Sequence, residues 1–432
     1  MDPLLGAVFL VIMLALIALG VPIAFAMLAT ASAGLYLIGG VAYPETQLVL
    51  NLWDRGTDFV LTALPLYLLM GELVFRTRLA MDLYDCVYKW LGWLPGGLAV
   101  TSIVAAAGFG AVSGGGAVAV ATLAPMCMPE MRRYGYNDRL STGTVAVGGT
   151  LGVLIPPSLF VVVYGIWTET SIGALFIAGI IPGIIMTAAF AATVLFVCMR
   201  HPEMGPPGPA FPLKERVASL VKLVPTLLVF VLVIGGIYLG VFDPSEAAAA
   251  GVGCVLVIAL VMRRLTWAAL ALALRRTIHT SAMIFTIIFA GHMMGHFIAL
   301  TNLTNVIVSG IESLAIPPLV MIALFTVMYV LLGMVLDVWA MLILTIPIVF
   351  PVVVNLGFDP IWFGIFVVVM IELALITPPV GVNIYVLAKV VPDIALIDIF
   401  RGITPFVFAA LAVLALLSIF PGIVTWLPSR LY

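Results

Sequence analysis

The sequence predicts an all-α polytopic membrane protein made of two similar halves in opposite orientation, each with about five transmembrane helices and one re-entrant hairpin. Three observations predict it. Of 432 residues, 64% are hydrophobic and 9% charged, which excludes a soluble globular chain. Apolar runs near the roughly 20 residues that span a bilayer recur along the chain. An offset of 222 carries the helix breakers Pro125, Pro129, Gly135, Pro156 and Pro157 onto Pro347, Pro351, Gly357, Pro378 and Pro379. Proline and glycine are common here, at 28 and 40 residues, so the shared register is what persuades.

In chain order, spanning helices are expected near 4–20, 22–40 and 57–75, and then a polar-flecked stretch at 76–93. The run from Pro95 to Met131 has no charge before Glu130, yet its middle reads Gly-Phe-Gly-Ala-Val-Ser-Gly-Gly-Gly. Such a run predicts a hairpin at about 95–131 that enters and leaves on one side, with its tip at Ser113 to Gly116. Residues 140–168 form a helix broken around Gly148 to Pro157, and 173–199 form another helix. A Pro/Gly-rich segment opens the linker 201–222 between the first half, 1–200, and the second, 223–432.

The second half repeats the order, with 223–241, 245–262, a basic stretch 263–276, 277–301, a hairpin at 318–355, a helix at 361–389 broken at Ile376-Thr-Pro-Pro-Val-Gly381, and 403–427. Ten spans and two hairpins result. Stretches 79–93 and 264–276 read as interfacial amphipathic helices.

Basic residues test this layout, because they gather on the cytoplasmic side. Arg76, Arg78, Lys89, Arg132, Arg133, Arg139, the segment Arg200 to Lys222, and Arg263, Arg264, Arg275 and Arg276 all fall on one face. Loops around Trp167 to Ser171, Phe242 to Glu246 and Leu356 to Pro360 carry none, and Arg55 is the chief exception. The first hairpin then enters from the cytoplasm and the second from outside. The sequence starts Met-Asp-Pro-Leu-Leu, without a basic signal-peptide region, so the first apolar run is expected to remain as a helix.

Broken helices inside a bilayer are tolerated where they line a cavity, and paired breaks in two halves point to a transporter's binding site. Free N–H groups and helix N-termini suit an anion; free carbonyls suit a cation. No Lys or Arg occurs from Gly92 to Pro129, from Leu140 to Met199 or from Thr277 to Val386, so charge is handled there with few charged side chains. Two acids sit deep in the repeats, Asp337 beside the second tip and Glu372 before Ile-Thr-Pro-Pro, and each suits either cation coupling or a structural cap. Glu72 is a weaker case.

His292 and His296, four apart on one face, lack a third ligand nearby and read as packing. The four cysteines, Cys86, Cys127, Cys198 and Cys254, stand singly among apolar residues. No Walker-type phosphate loop, hydrolytic constellation or redox motif occurs, so no enzyme activity is expected, and energy must come from a gradient or a partner. The net charge of −2 gives no reason to expect nucleic acid.

Several motifs together closely resemble the large membrane subunit of tripartite ATP-independent periplasmic (TRAP) transporters. They are Pro65-Leu-Tyr-Leu-Leu-Met-Gly-Glu72, Gly148-Gly-Thr-Leu-Gly-Val-Leu-Ile-Pro-Pro-Ser158, Ser171-Ile-Gly-Ala-Leu-Phe-Ile-Ala-Gly-Ile-Ile-Pro-Gly183, Pro244-Ser-Glu-Ala-Ala-Ala249 and Thr377-Pro-Pro-Val-Gly-Val-Asn383. The order of tip, Pro-containing helix and break is also similar to the divalent-anion sodium symporters. The resemblance implies a sodium-driven elevator carrier of organic acids such as C4-dicarboxylates, in a bacterial inner membrane. It also implies a small four-helix membrane subunit and a periplasmic binding protein as partners.

Site residues carried over by motif comprise a sodium set, largely backbone carbonyls, of Ser113, Gly149, Gly152, Gly333, Asp337, Glu372, Thr377 and Gly381. The substrate is expected against Ser113, Gly114, Gly115, Thr150, Pro156, Thr377, Pro378 and Asn383. The first tip departs from the family's serine-rich pattern, with one side-chain hydroxyl fewer. A stand-alone sodium/dicarboxylate symporter is the nearest alternative reading, and a channel is the alternative from another class.

Overall fold

The computed structural model describes residues 2–431 except 114, 115, 314, 315, 335, 337, 379 and 380, and describes only the backbone of 111–113, 117, 118 and 312. Among the described residues the regular secondary structure is all helical, with no strand. The first half begins with α1 (Pro3–Ala18), α2 (Ile23–Gly39), α3 (Ala42–Gly56), α4 (Ala63–Arg76) and α5 (Leu79–Leu91). It continues through α6 (Gly97–Ser113), α7 (Gly116–Arg133), α8 (Asp138–Leu154), α9 (Leu159–Thr168) and α10 (Ile172–Arg200).

The second half opens with α11 (Leu213–Phe230), which runs through a π-helical turn at Val231–Gly235 into α12 (Gly236–Tyr238). Next come α13 (Pro244–Val261), α14 (Trp267–Leu300), α15 (Leu303–Ser313), α16 (Pro318–Gly333) and α17 (Val338–Asn355). Last are α18 (Pro360–Ile376), α19 (Val382–Val390), α20 (Leu396–Ile419), α21 (Gly422–Thr425) and α22 (Pro428–Leu431). Among the described residues, 8 stretches are long and apolar enough to cross a membrane, and α1, α2, α16 and α18 are shorter apolar helices.

Two expectations change. The segment 264–276 is not a separate interfacial helix, because α14 is one helix of 34 residues, about 51 Å long at 1.5 Å per residue. No glycine or proline lies between Trp267 and Ala290, and alanine-rich sequence propagates a helix through Arg275 and Arg276. The second change is α3, an element absent from the sequence reading. Its 15 residues are too few and too polar to span, and Pro44 is tolerated because it lies in the first turn.

Shared local chemistry extends the 222-residue register. Gly135 and Gly357 end the returning arms of the two helix pairs at φ 74° and 86°, a left-handed conformation that side-chain-bearing residues rarely adopt. Two residues on, the side chain of Asn137 caps α8 through the Arg139 N–H, and that of Asp359 caps α18 through Ile361 and Trp362. Both turns therefore launch the following broken helix in the same way.

The two broken helices run antiparallel at the centre of the molecule. Arg132, at the end of α7, bridges Asp138 at the start of α8 and Asp393 just beyond α19. At the other end, the Tyr164 hydroxyl of α9 donates to the Pro360 carbonyl at the start of α18, 2.6 Å away. Every residue of α8 from Leu140 to Leu154 and of α18 from Trp362 to Ile376 is buried, which gives these two helices protein on all sides. Helices α6, α7 and α20 pack on α8; α10, α16 and α17 pack on α18.

Candidate functional site

Both breaks arise from proline chemistry. A proline lacks the N–H that an earlier carbonyl needs four residues back, so Pro156 and Pro157 deprive Gly152 and Val153 of helical donors, and Pro378 does the same to Ala374. The chain then restarts as α9 after Ser158 and as α19 after Gly381. At each break the C-terminal end of one helix, with its freed carbonyls, is followed closely in the chain by the N-terminal end of the next. That is a pairing of partial negative and partial positive charge.

The first helix pair meets both breaks. A Cβ placed on Gly149 would lie 2.2 Å from the Val120 side chain, 2.9 Å from the Gly116 carbonyl oxygen and 3.3 Å from the Asn383 amide nitrogen. One placed on Gly116 would lie 3.0 Å from Leu375 and 3.4 Å from the Gly149 carbonyl oxygen. Gly116, the first residue of α7, thus touches α8 beside the first break and α18 beside the second. In the second pair, a Cβ on Gly333 would lie 2.6 Å from that of Ala374, so α16 ends against the same stretch of α18. Gly152 serves a close crossing, backbone to backbone, with Gly110 of α6.

Side chains at the breaks divide into satisfied and unsatisfied groups. The hydroxyl of Thr150 donates to Val147 at 2.8 Å, and that of Thr377 to Leu373 at 2.5 Å. The Asn383 amide donates to the Ala146 carbonyl across the two broken helices at 3.1 Å. Among the described residues, Asn383 Oδ1, Ser158 Oγ and both carboxyl oxygens of Glu372 are buried without a hydrogen-bond partner. Ser158 stands in a quoted motif, yet nothing in its spacing marked it as an unpaired hydroxyl.

Exposure also separates the two breaks. Thr150 and Pro156 are buried, whereas Thr377 is half-buried and Pro378 exposed. Gly114, Gly115 and Asp337 lie outside the described residues, as does the side chain of Ser113. Glu72 is paired with Arg76 at 2.8 Å. His296 shares a hydrogen bond with the Tyr43 hydroxyl at 3.2 Å, and His292 stacks on Trp167 at 4.0 Å, so the pair packs against different partners.

Charge gathers at the end where α7 and α19 finish. Arg139 pairs with Asp398 at 2.8 Å, next to the Arg132 bridge. The Arg132 guanidinium holds the exposed Asp393 carboxyl below the usual carboxylate range, and the two aspartates in turn raise Arg132. These ties join the start of one broken helix to the end of the other.

Residues 10–423 match the family model for the tripartite ATP-independent periplasmic transporter, DctM component. The chain belongs to this family. Similar proteins include the C4-dicarboxylate TRAP transporter large permease DctM of Pseudomonas aeruginosa, 32% identical over 89% of this chain and 90% of that one. Others are the sialic acid large permease SiaM of Vibrio cholerae, 30% identical with 96% of each chain covered, and the ectoine large permease TeaC of Halomonas elongata, 31% identical with 96% and 97% covered. In fold, the chain is similar to the YdaH transporter of Alcanivorax borkumensis, with a TM-score of 0.64, 16% identity and 97% and 98% coverage. This DctM-family chain is a multi-pass inner-membrane protein and a transporter permease.

Proposed function

We propose that this permease carries an organic acid anion across the bacterial inner membrane, driven by co-transported sodium. A small four-helix membrane subunit and a periplasmic binding protein complete the transporter. C4-dicarboxylates, sialic acid and ectoine, named for its relatives, all bear a carboxyl group. The observation that carries the reading is the crossing of two antiparallel broken helices, with oxygens of Asn383 and Glu372 that are buried in the same pair of helices and unpaired among the described residues. A bare carboxylate buried without a donor is costly, so a cation or a proton is its natural companion.

Sodium as co-substrate suits the freed carbonyls of Gly152, Val153 and Ala374, and the anion suits the helix N-termini of α9 and α19. The helix pairs and broken helices would move together as the elevator, against α1–α5 and α11–α14 as scaffold, with the two halves as an inverted repeat. Close packing of α6, α7, α18 and α19 on α8 supports the first group as one body. The test is uptake into proteoliposomes holding this chain and its small subunit, with loaded binding protein outside. Uptake is expected only with both an inward sodium gradient and the binding protein. Equal uptake without the binding protein would overturn the tripartite reading in favour of a self-sufficient symporter.

A further inference from the structure

A second polar cavity, of about 490 Å³, opens between α3, α14 and α15 on one side and α9 and α17 on the other. It lies at the Trp167 end of the first broken helix, opposite the Arg132 ion-pair cluster. Arg55 from α3 lines it and also borders a neighbouring cavity of about 640 Å³ formed by the loops after α9 and before α13. This is the arginine that breaks the basic-residue asymmetry of the sequence.

Among the described residues, the Arg55 guanidinium has no ion pair and no hydrogen-bond acceptor, although Asp54 and Asp58 are near in sequence. Asp58 is engaged in capping the next turn through Val60, and exposed Asp54 lines the cavity along with Arg55. Deeper in, His292 is held flat against Trp167, with its Nε2 buried and unpartnered among the described residues. Asn51 commits its amide nitrogen to the Gln47 carbonyl at 2.9 Å and the Met293 sulfur at 3.4 Å. Two unpaired nitrogen groups therefore converge on one cavity, one of them a permanent cation with the fork geometry that fits a carboxylate.

We propose that this cavity is a receiving site for the carboxylate of the transported anion, with Arg55 as the principal contact and His292 beside it. The proposal rests on the organic-anion reading above, and assigns the anion a first stop on the face away from the basic loops. Its place along the seam between the suggested scaffold and the suggested moving body would let the anion pass to the central breaks.

The test uses Ala299→Cys, a cavity-lining position, in the full chain with its four native cysteines replaced. Its rates with the anionic 2-sulfonatoethyl and the cationic 2-(trimethylammonium)ethyl methanethiosulfonates are compared after normalising to a free thiol. The anionic reagent is expected to be favoured by about tenfold, the low end of what a local charge lining a cleft gives, because Arg55 is unpaired among the described residues whereas Asp54 is exposed. Arg55→Gln should bring the ratio to near one, and Arg55→Lys should keep most of it, which separates lost charge from lost fold. Millimolar succinate, against chloride matched for ionic strength, should slow the labelling only when residue 55 is cationic. A ratio insensitive to Arg55→Gln, or no protection by succinate, overturns the site. Labelling needs no transport, so failed uptake in proteoliposomes would count against the proposed function and leave this result standing.

Discussion

Asn383, on the first turn of α19, reaches across the molecule and donates its side-chain amide to the carbonyl of Ala146 in α8, 3.1 Å away. One half's restart is thereby tied to the other half's broken helix. Among the described residues its Oδ1 is buried without a partner, while its amide nitrogen lies beside Gly149.

If that oxygen serves the transported ions, Asn383→Ala should lower sodium-dependent uptake by at least about tenfold, the factor given by about 1.4 kcal/mol. The Ala146 carbonyl keeps its helical donor, so the protein should remain folded and monodisperse. Flux measured at equal reconstituted amounts decides this; unchanged uptake would make Asn383 a purely structural stitch.

Glu372 offers a second test. If Glu372 meets the sodium as a carboxylate, Glu372→Gln keeps the shape and removes that charge, so the sodium concentration for half-maximal uptake should rise roughly fivefold, what about 1 kcal/mol of lost attraction gives. An unaltered sodium dependence would assign the carboxyl to packing.

Packing at the crossing is tight enough to predict a contrast. Gly149→Ala places a Cβ within 2.2 Å of Val120 and 2.9 Å of the Gly116 carbonyl oxygen, and overpacking of that kind costs about 1–3 kcal/mol. Gly310→Ala, with nothing within 4 Å, should be harmless. Thermal melting of the two variants in one detergent should show a clear drop for the first alone.

The Arg132–Asp393 tie predicts an acid limb in stability. Because Asp393 is depressed in the folded protein, its contribution is present above the ordinary aspartate range and is lost as pH falls through the lower folded value. Asp393→Asn should flatten that limb slightly and leave melting at neutral pH nearly unchanged in slope with pH. An acid limb identical to that of the parent would show that the tie contributes nothing.

The sequence carried much of the architecture because proline and glycine act locally. Pro156, Pro157 and Pro378 remove specific hydrogen-bond donors wherever the chain goes, so both breaks were legible from composition and register alone. The antiparallel crossing was legible only indirectly, through the asymmetry of basic loops, and becomes visible in the Tyr164–Pro360 and Arg132–Asp393 contacts. Helix α3 escaped because an amphipathic 15-residue segment has neither the length of a span nor the glycines of a break. The joining of α14 through Arg275 and Arg276 escaped because charge suggested a boundary where the backbone has no reason to stop. At the site, Glu372 stood out as an acid in apolar sequence, whereas Asn383 came only with the motif Thr377-Pro-Pro-Val-Gly-Val-Asn383. Ser158 and the cavity around Arg55 depend on tertiary proximity, which periodicity does not encode.

Orientation of the two halves is the claim on which the transport reading depends most, and one labelling experiment addresses it. Arg133→Cys and Asn355→Cys replace exposed residues at the ends of α7 and α17, matched in the 222-residue register, in a background without Cys86, Cys127, Cys198 and Cys254. In right-side-out and inverted vesicles, a membrane-impermeant maleimide should reach Asn355→Cys from outside and Arg133→Cys from the cytoplasmic side. Labelling of both positions from the same side would contradict the opposed arrangement of the two halves.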